Sequence, residues 1–352
     1  MAKNSDSPKM SDVARLAGVS SMTVSRALKP GTSVNDVTRE LVRNAAEKLG
    51  YVFNSQASGL RSQRTGFVAV SIPSINNANF ADTLNGLTEK LWGSPLQILL
   101  GYTDYDANKE EEIINQFLSR KPEAIVVTGG GHTEKCRQLL SQSQVPVVEM
   151  WDLPESPIDH VVGFSNASTS NLMVRHLYEQ GYRKIGFIGG DTKRDARGLD
   201  RRRGFIEETK SLGLDSTCLV AEGIPPVTMR EGAAAMRNLL KKWPETEAVM
   251  CVSDISAVGA MTECIRSGYR VPEDIAITGF GNYDLAEFTI PTITTIDVSA
   301  KEIGELVGNT ILQQLEFQGD ISAKTSIEIK PKLITRESTA VKLIGPAGTL
   351  SE

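Results

Sequence analysis

Two hydrophobic periodicities divide the chain near residue 65. In residues 10–50 the apolar positions recur every three or four residues, which is typical of amphipathic helices. Gly18 and Gly50 end the first and the third of these helical stretches. A polar residue suited to capping a helix precedes each of the three stretches. The predicted N-caps are, in chain order, Ser11, Ser20 and Asn35. The pattern therefore predicts a compact unit of three short helices.

The second predicted helix separates polar from apolar side chains. Its apolar positions, Val24, Ala27 and Leu28, share one side of a 3.6-residue helix. The opposite side gathers four outward-facing residues, Ser21, Met22, Ser25 and Arg26. Two short helices at a sharp angle, with a polar face on the second, are typical of a helix-turn-helix that enters the DNA major groove. From spacing alone, a small helical bundle of another function stays an alternative.

Beyond Gly66 the pattern changes to short Val/Ile-rich runs that alternate with helical stretches. Examples are "GFVAVSIP", "AIVVTG", "KIGFIGG" and "AVMCVS". Continuous apolar strands between amphipathic helices indicate parallel sheets covered on both faces. The runs form two groups, which predicts two Rossmann-like subdomains with a ligand cleft at the carboxyl ends of their strands.

Charge is distributed unevenly along the 352 residues. The chain has 38 Lys and Arg against 43 Asp and Glu, a net charge of -5. Residues 1–65 contain ten of the basic residues and five of the acidic ones, so this part is basic and the remainder strongly acidic. A basic head on an acidic body favours a polyanion-binding module joined to a domain with another task. On charge alone, a solvated surface is the alternative.

The sequence offers little for metal, redox or catalytic chemistry. No Cys-x-x-Cys pair occurs among its four cysteines, Cys136, Cys218, Cys251 and Cys264, and the three histidines are scattered. The glycine run Gly129–Gly131 lacks the phosphate-loop spacing and is interpreted as a turn at a strand end. Neither a signal-peptide core nor an apolar membrane span is visible. We expect a cytoplasmic protein that is not an enzyme and needs no metal or cofactor.

The residues of the head are more specific than their spacing. The segments "DVARLAGVSSMTVSRAL" and "TRELVRNAAEKLGYVFNSQASGLRS" resemble the head of the lactose-repressor (LacI/GalR) family of bacterial transcription regulators, and the rest of the chain continues the resemblance almost to the C-terminus. The resemblance implies that Ser21, Met22 and Arg26 contact base edges. It implies phosphate contacts for Thr23, Ser25 and Asn35. Met22 departs from the polar residue often found there, so it offers only apolar contacts, unless it packs against the first helix.

A polar linker, "NSQASGLRSQRTG", follows the head. In the family this position holds a hinge helix, and the matching residues are Asn54 to Arg61. By resemblance, Asn54, Ala57 and Leu60 act at the DNA, where two hinge helices pair and Leu60 wedges into the minor groove. Such a short segment should order only when partner and DNA are both present.

The resemblance also implies the organisation of the chain. Residues 1–53 would be the head, 54–65 the hinge, 66–340 an effector-binding and dimerisation body, and 341–352 a tail. The body would be of the periplasmic-binding-protein type, α/β with two Rossmann-like subdomains, and its chain would cross between the lobes near Ser165, Thr292 and Gln318. These crossings predict an N-lobe of about 66–164 and 293–318 and a C-lobe of about 165–292 and 319–340.

The candidate effector site lies at strand ends of this body. By family register, Arg201 in "DRRRGF" holds ligand hydroxyls or carboxylates through its fork of donors. Trp151 either stacks on a sugar face or belongs to the core. The full predicted set is Ser74, Asn79, Phe80, Trp151, Arg201, Ser253, Asp254 and Asn282.

One departure from the family bears on the effector. Many sugar-responsive members have Gly-Phe/Tyr-Asp-Asp where this chain has "GFGN", so Gly281 replaces an acid. Loss of a carboxylate near Arg201 favours an anionic ligand, because a bound acid would otherwise be repelled. The segments "VVEMWD" and "GFGN" also resemble gluconate-utilisation repressors, which makes a sugar acid such as gluconate the expected effector.

These features together predict a DNA-binding transcriptional regulator, specifically a repressor. Its expected partners are double-stranded operator DNA of palindromic sequence, a small carbohydrate effector and a second copy of itself, with no membrane partner. The tail lacks leucine heptads, which favours a dimer over a tetramer. The alternative is a sugar-binding or sugar-transforming protein with the same body fold and no regulatory role.

Overall fold

The chain divides into two compact units, residues 1–65 and residues 66–352. A computed structural model describes residues 8–29, 32–53, 65–191, 193–316 and 324–341. The predicted hinge contacts Asn54, Ala57 and Leu60 lie outside the described residues, as does most of the predicted tail.

The first unit contains three helices, α1 (Met10–Ala17), α2 (Ser21–Ala27) and α3 (Asp36–Leu49). Val13, Val24 and Val42, one from each helix, are fully buried in a shared core. Gly18 and Gly50 end α1 and α3 in the left-handed conformation that glycine adopts without strain. The predicted three-helix head is therefore confirmed.

The helix caps agree with the pattern in two places out of three. Ser20 Oγ accepts a hydrogen bond from the Thr23 amide at 3.1 Å, and Asn35 Oδ1 accepts one from the Val37 amide at 2.9 Å. The predicted cap Ser11 is wrong, because α1 begins one residue before it and has Lys9 as its N-cap. Asp12 then accepts the Lys9 amide at 2.9 Å, so a carboxylate inside the first turn satisfies the amide of the N-cap residue.

The second unit begins with an α/β lobe. Its sheet is fully parallel, with the order β2-β1-β3-β4-β5, and helices cover it. Its elements are β1 (Phe67–Ile72), α4 (Ala78–Leu91), β2 (Gln97–Tyr102), α5 (Ala107–Ser119), β3 (Ala124–Thr128), α6 (Glu134–Ser141), β4 (Val147–Met150) and β5 (His160–Gly163).

A second α/β lobe follows with the same construction. Its parallel sheet has the order β7-β6-β8-β9. Its elements are α7 (Asn166–Glu179), β6 (Ile185–Gly189), α8 (Ala196–Ser211), β7 (Leu219–Ala221), α9 (Met229–Lys242), β8 (Ala248–Cys251), α10 (Asp254–Arg266), β9 (Ala276–Thr278) and α11 (Leu285–Phe288). The two Rossmann-like subdomains predicted from the apolar runs are confirmed.

The last part of the chain returns to the first lobe and then leaves it again. Its elements are β10 (Thr295–Asp297), α12 (Ala300–Glu316), β11 (Ser326–Glu328) and β12 (Lys332–Ile334). Helix α12 packs closely on α4, where a Cβ atom at Gly304 would collide with the Thr83 carbonyl oxygen. None of the described helices is long and apolar enough to cross a membrane.

Strand β11 belongs to the first lobe, although the sequence predicted it in the C-lobe. It pairs in parallel with β5 and is the sixth strand of the first sheet, whereas the sequence assigned residues 319–340 to the C-lobe. Of the described strands in residues 319–340, only β12 is outside the first sheet. It pairs antiparallel with β10. A three-residue strand with one apolar position, Ile327, carries too little pattern to show which sheet it joins.

Candidate functional site

The outward face of α2 in the head carries the side chains predicted to contact DNA bases. Ser21 and Arg26 are exposed, and Met22 is 64% exposed, so it does not pack against α1. On the opposite side Val24 and Ala27 are buried. This helix therefore has its apolar side in the core and presents a mixed polar and apolar surface of the kind that fits a major groove.

Arg39 of α3 forms hydrogen bonds with the loop that follows α2. Its guanidinium donates to the carbonyl oxygens of Ala27, Lys29 and Thr32 at 2.9, 3.2 and 2.7 Å. Because these bonds satisfy the end of α2, they hold that helix at a defined angle to α3. Arg39 was not singled out by the sequence, since one arginine on a polar helix face resembles any solvated charge.

The residues predicted to hold phosphates have local structural partners. Thr23 Oγ1 lies 2.9 Å from Ser20 Oγ, and the Asn35 side chain caps α3. Ser25 is partly exposed. Thr23 and Asn35 therefore stand at the beginnings of α2 and α3, where free backbone amides also favour an anion.

In the body, a cavity of about 60 Å³ lies between the two lobes. We call it the first cavity. Five of the eight predicted effector residues line it, and they come from both lobes: Asn79, Phe80, Trp151, Arg201 and Ser253. They are brought together because the carboxyl ends of both parallel sheets face the same cleft.

Arg201 lies deep in the first cavity. Its Nη1 donates to the Val252 carbonyl oxygen at 2.7 Å, and its guanidinium stacks over the Phe280 ring at 4.1 Å. Burial lowers the pKa of Arg201 below its usual value, although the group stays a cation at neutral pH. Among the described residues, no carboxylate oxygen lies within 4 Å of this guanidinium.

A second buried arginine, Arg197, was missed by the sequence analysis. It is one turn before Arg201 on α8, and its Nη1 donates to the Gly129 carbonyl oxygen at 3.1 Å. It too has no carboxylate oxygen within 4 Å among the described residues. The i, i+4 spacing of the two arginines in "ARGLDRRRGF" was a usable signal, because it places both side chains on one helix face.

Trp151 is part of the cavity wall and of the core. Its ring makes edge contacts with Phe80 and Phe164 at centroid distances of 5.2 and 5.9 Å, and its Nε1 donates to Thr83 Oγ1 at 3.1 Å. Only 4% of the residue is exposed. Of the two predicted roles, this geometry favours the core over an open stacking platform.

The three remaining predicted effector residues do not line the first cavity. Ser74 is buried and its Oγ accepts the Asn76 amide at 3.1 Å. Asp254 accepts hydrogen bonds from Thr295 Oγ1 and the Tyr283 amide, and its burial raises its pKa to about 6. Asn282 accepts from Arg336 at 2.8 Å. Like the residues that line the first cavity, all three lie near strand ends. Their side chains, however, form hydrogen bonds with neighbouring segments and do not face the cavity.

Gly281 does not fit the role that the sequence gave it. It lines a different pocket, together with Asn282 and Lys301, and not the first cavity. Its φ is +119°, and a Cβ atom there would lie 2.5 Å from the Tyr283 ring and 2.6 Å from Asn79 Nδ2. The absence of an acid at Gly281 is thus explained by backbone shape and lack of space, and it says little about charge near Arg201.

A larger cavity of about 230 Å³, here called the second cavity, adjoins the first. Tyr105 and Arg197 line both of them. The predicted strand-end turn Gly129–Gly131 also lines the second cavity. The two cavities together make a continuous groove between the lobes.

Contacts across the groove hold the lobes together around these cavities. Arg194 donates to the Asp104 carbonyl oxygen at 2.8 Å, and the Tyr283 hydroxyl donates to Asn77 Oδ1 at 2.9 Å. The Arg197 bond to Gly129 is a third link. A ligand that takes over any of these groups would change the balance between lobe arrangements.

His160, His176 and the four cysteines are buried side chains of the body. His160 Nδ1 accepts the Thr325 amide and His176 Nε2 lies 3.1 Å from Thr339 Oγ1, both buried. All four cysteines are free and buried. Both histidines are therefore buried side chains with partners inside the body.

Comparison with known proteins gives consistent matches along nearly the whole chain. Residues 9–54 match the model for bacterial regulatory proteins of the lacI family, and residues 174–339 match a periplasmic binding protein-like domain. The HTH-type transcriptional regulator GntR of Pseudomonas aeruginosa is 32% identical over 332 residues, which are 94% of this chain and 96% of that protein.

Solved structures give the same result. A LacI-family transcriptional regulator from Silicibacter pomeroyi is 32% identical with a TM-score of 0.87, covering 95% of this chain and 99% of that chain. The lac repressor dimer bound to operator has a TM-score of 0.82 at 20% identity, covering 95% of this chain and 100% of its own, a likeness of fold.

Proposed function

The chain belongs to the LacI family of bacterial transcriptional regulators, and we propose that it represses transcription as a homodimer on a palindromic operator under the control of a sugar acid. Regulators of this family bind operator DNA and small-molecule effectors, and they are not enzymes. The operator contacts, the effector class and the dimer are the proposed parts. We also propose a cytoplasmic location, because a regulator of transcription acts where the operator DNA is.

We assign the DNA contacts to the head and the hinge. The exposed face of α2 supports base contacts by Ser21, Met22 and Arg26, and the helix starts at Thr23 and Asn35 support phosphate contacts. Met22 can pack only against apolar groups such as thymine methyls, which directs the search for an operator toward A·T pairs at that position. The hinge residues Asn54, Ala57 and Leu60 complete the proposed set on the strength of the sequence resemblance.

The observation that carries the effector assignment is the pair Arg197 and Arg201. Both guanidinium groups are in the groove, and neither has a carboxylate within 4 Å among the described residues. Arg197 is buried and Arg201 partly so, and a desolvated cation without a bonded carboxylate is costly, so an anionic ligand would stabilise the closed groove. Two buried carboxylates act on the pair from a greater distance, Asp195 on Arg201 and Asp152 on Arg197, and neither is within ion-pair distance of its arginine.

The remaining lining groups suit the hydroxyl groups of a sugar. Asn76, Asn77, Asn79 and Ser253 supply amide and hydroxyl groups around the first cavity. The first cavity is small, so a six-carbon acid must extend into the second cavity or part the lobes. The resemblance to gluconate-utilisation repressors and the GntR name of the Pseudomonas relative point to the same ligand class.

Calorimetry on the full-length protein tests this assignment. We expect gluconate to bind at least tenfold more tightly than glucose, because only the acid offers a carboxylate to the arginines. Gluconate should also change operator affinity at least fivefold in a gel-shift assay, as expected for typical coupling between two sites. Preference for neutral sugars would refute the sugar-acid assignment and leave the family assignment intact.

The surface of the second lobe supports a homodimer. Phe288, the last residue of α11, and Ile290, two residues after it, are 83% and 90% exposed. Large apolar side chains that stand next to each other on a surface are typical of an interface, since their burial is favourable. We propose that this segment lies in the dimer interface.

The substitution Ile290→Asp should therefore weaken the dimer. Burying a carboxylate against an apolar partner surface is unfavourable, and we expect the dimer dissociation constant to rise at least tenfold. Analytical ultracentrifugation at several protein concentrations measures this constant. The control Leu172→Asp places the same charge on another exposed apolar position, on α7, and should leave the constant unchanged. An unaltered dimer in Ile290→Asp would remove this segment from the interface.

A further inference from the structure

Three metal-ligating side chains of different types converge in the first lobe, beside the groove. Glu110 lies in the first turn of α5, His132 follows the Gly129–Gly131 turn, and Cys136 lies in the first turn of α6. One donor atom from each, a carboxylate oxygen, an imidazole nitrogen and the thiol sulfur, can be chosen so that all lie within 4.8 Å of one another.

The separations are close to those that a single ion requires. His132 Nδ1 is 2.7 Å from Glu110 Oε2, and Cys136 Sγ is 3.9 Å from the same oxygen. A tetrahedral zinc ion with bonds of about 2.0 to 2.3 Å separates its ligand atoms by roughly 3.3 to 3.8 Å, so the two distances to Glu110 need to change by about half an ångström or less. The His132 and Glu110 side chains are almost fully buried and Cys136 is completely so.

A fourth side chain lies close to the second ring nitrogen of His132, Nε2. Glu149 Oε1, on β4, lies 3.6 Å from His132 Nε2. Both atoms are buried, and neither has a hydrogen-bond partner in the described part of the chain. Glu149 Oε2 is held by the Ile158 amide at 2.6 Å. A carboxylate behind the outer nitrogen of an imidazole is the usual support for a histidine that binds metal through its other nitrogen.

The cluster is connected to the groove. Glu110 lines the second cavity together with Thr128 and Gly131. Glu110 is therefore the ligand that faces the groove, and we expect a metal ion, and a water molecule at the fourth position, to enter past it. Buried ligands with an entry path are a requirement for a site that loads in the folded protein.

We propose that Glu110, His132 and Cys136 bind one zinc ion in the first lobe, with a fourth position open toward the second cavity. The donor set of one thiolate, one imidazole and one carboxylate matches the preferences of zinc and is a poor match for calcium or magnesium. Glu149 is the positioning residue for His132. This site is separate from the effector groups Arg197 and Arg201.

The alternative for the same side chains is an ion pair without metal, in which a protonated His132 lies between Glu110 and Glu149. In that arrangement the Cys136 thiol is only a weak hydrogen-bond donor to Glu110, at 3.9 Å. A variant that lacks only the thiol therefore distinguishes the two. Cys136→Ala removes a ligand and leaves the ion pair intact.

The experiment uses the full-length, tag-free protein in a reducing buffer that contains no thiol reagent. Zinc is titrated against a chromophoric chelator, and bound metal is counted by atomic emission after dialysis. We expect one zinc ion per chain. With cobalt(II) as the probe, we expect visible bands of a four-coordinate site and an ultraviolet thiolate-to-cobalt charge-transfer band.

Matched variants assign the site. Cys136→Ala should weaken zinc binding at least a hundredfold and abolish the charge-transfer band, whereas Glu149→Gln should weaken binding about 10- to 100-fold and keep that band. The control Cys264→Ala removes a buried thiol in the second lobe and should bind zinc like the parent. Circular dichroism confirms that each variant is folded. Less than half an equivalent of zinc in the parent, or unchanged affinity in folded Cys136→Ala, would overturn the proposal.

Discussion

A protein that begins at Gly66 should lose specific operator binding by more than a thousandfold. The head has its own core, around Val13, Val24 and Val42, and it presents the exposed face of α2. The body is a separate compact unit with a strongly acidic composition, so it offers neither base contacts nor attraction for phosphates. The loss should reach the whole difference between specific binding and background, which is typically 10³ or more.

A gel-shift titration of the parent and the shortened protein on the same operator measures this effect. Parent binding should also fall steeply as salt rises, because phosphate contacts release counterions. Circular dichroism and effector calorimetry are the controls, since the body should keep its fold and its ligand. Sequence-specific binding by the shortened protein would show that the body carries operator contacts.

The second large effect is expected from Arg201→Ala. Arg201 lies in the first cavity with its guanidinium between Val252 and the Phe280 ring, and it is placed to form a two-pronged bond with a carboxylate. Loss of a charged hydrogen-bond partner in a closed cleft typically costs about 2 to 5 kcal/mol. Calorimetry with gluconate should therefore show an affinity lower by well over tenfold.

The same variant should hold operator DNA with normal affinity and ignore the effector. A ligand shifts the lobes only through its preference for one arrangement, so a protein that cannot bind it keeps its ligand-free behaviour. Arg203→Ala is the matched control, because Arg203 is a neighbouring arginine that pairs with Asp200 at the surface. Equal gluconate affinity in Arg201→Ala and the parent would exclude Arg201 as the anchor.

The head shows how much local sequence can predict. Its helices, the glycine stops at Gly18 and Gly50 and the caps at Ser20 and Asn35 all follow from residues within four positions of each other. The predicted cap Ser11 is wrong because α1 begins at Met10, one residue before it. Leu41 of α3 shows a second limit, because it is apolar and yet 51% exposed.

The effector groove could be predicted only in part. The strand ends identified the correct edge of each sheet, and Asn79, Phe80 and Arg201 do line the first cavity. Strand ends do not determine which way a side chain turns, however. Asp254 and Asn282 turn away from the cavity to bond with Tyr283, Thr295 and Arg336.

By itself, the sequence determined the helical head, the alternating strands and helices of the two-lobed body and the family to which the chain belongs. These properties follow from short-range periodicity, capping residues and contiguous motifs, because such local patterns determine the local backbone conformation. Tertiary structure alone decided that Gly281 has no room for a side chain and that β11 joins the first sheet. It alone brought Glu110, His132 and Cys136 together with Glu149. Such contacts join residues far apart in the chain, and the packing of many elements, which no local pattern encodes, determines which of them meet.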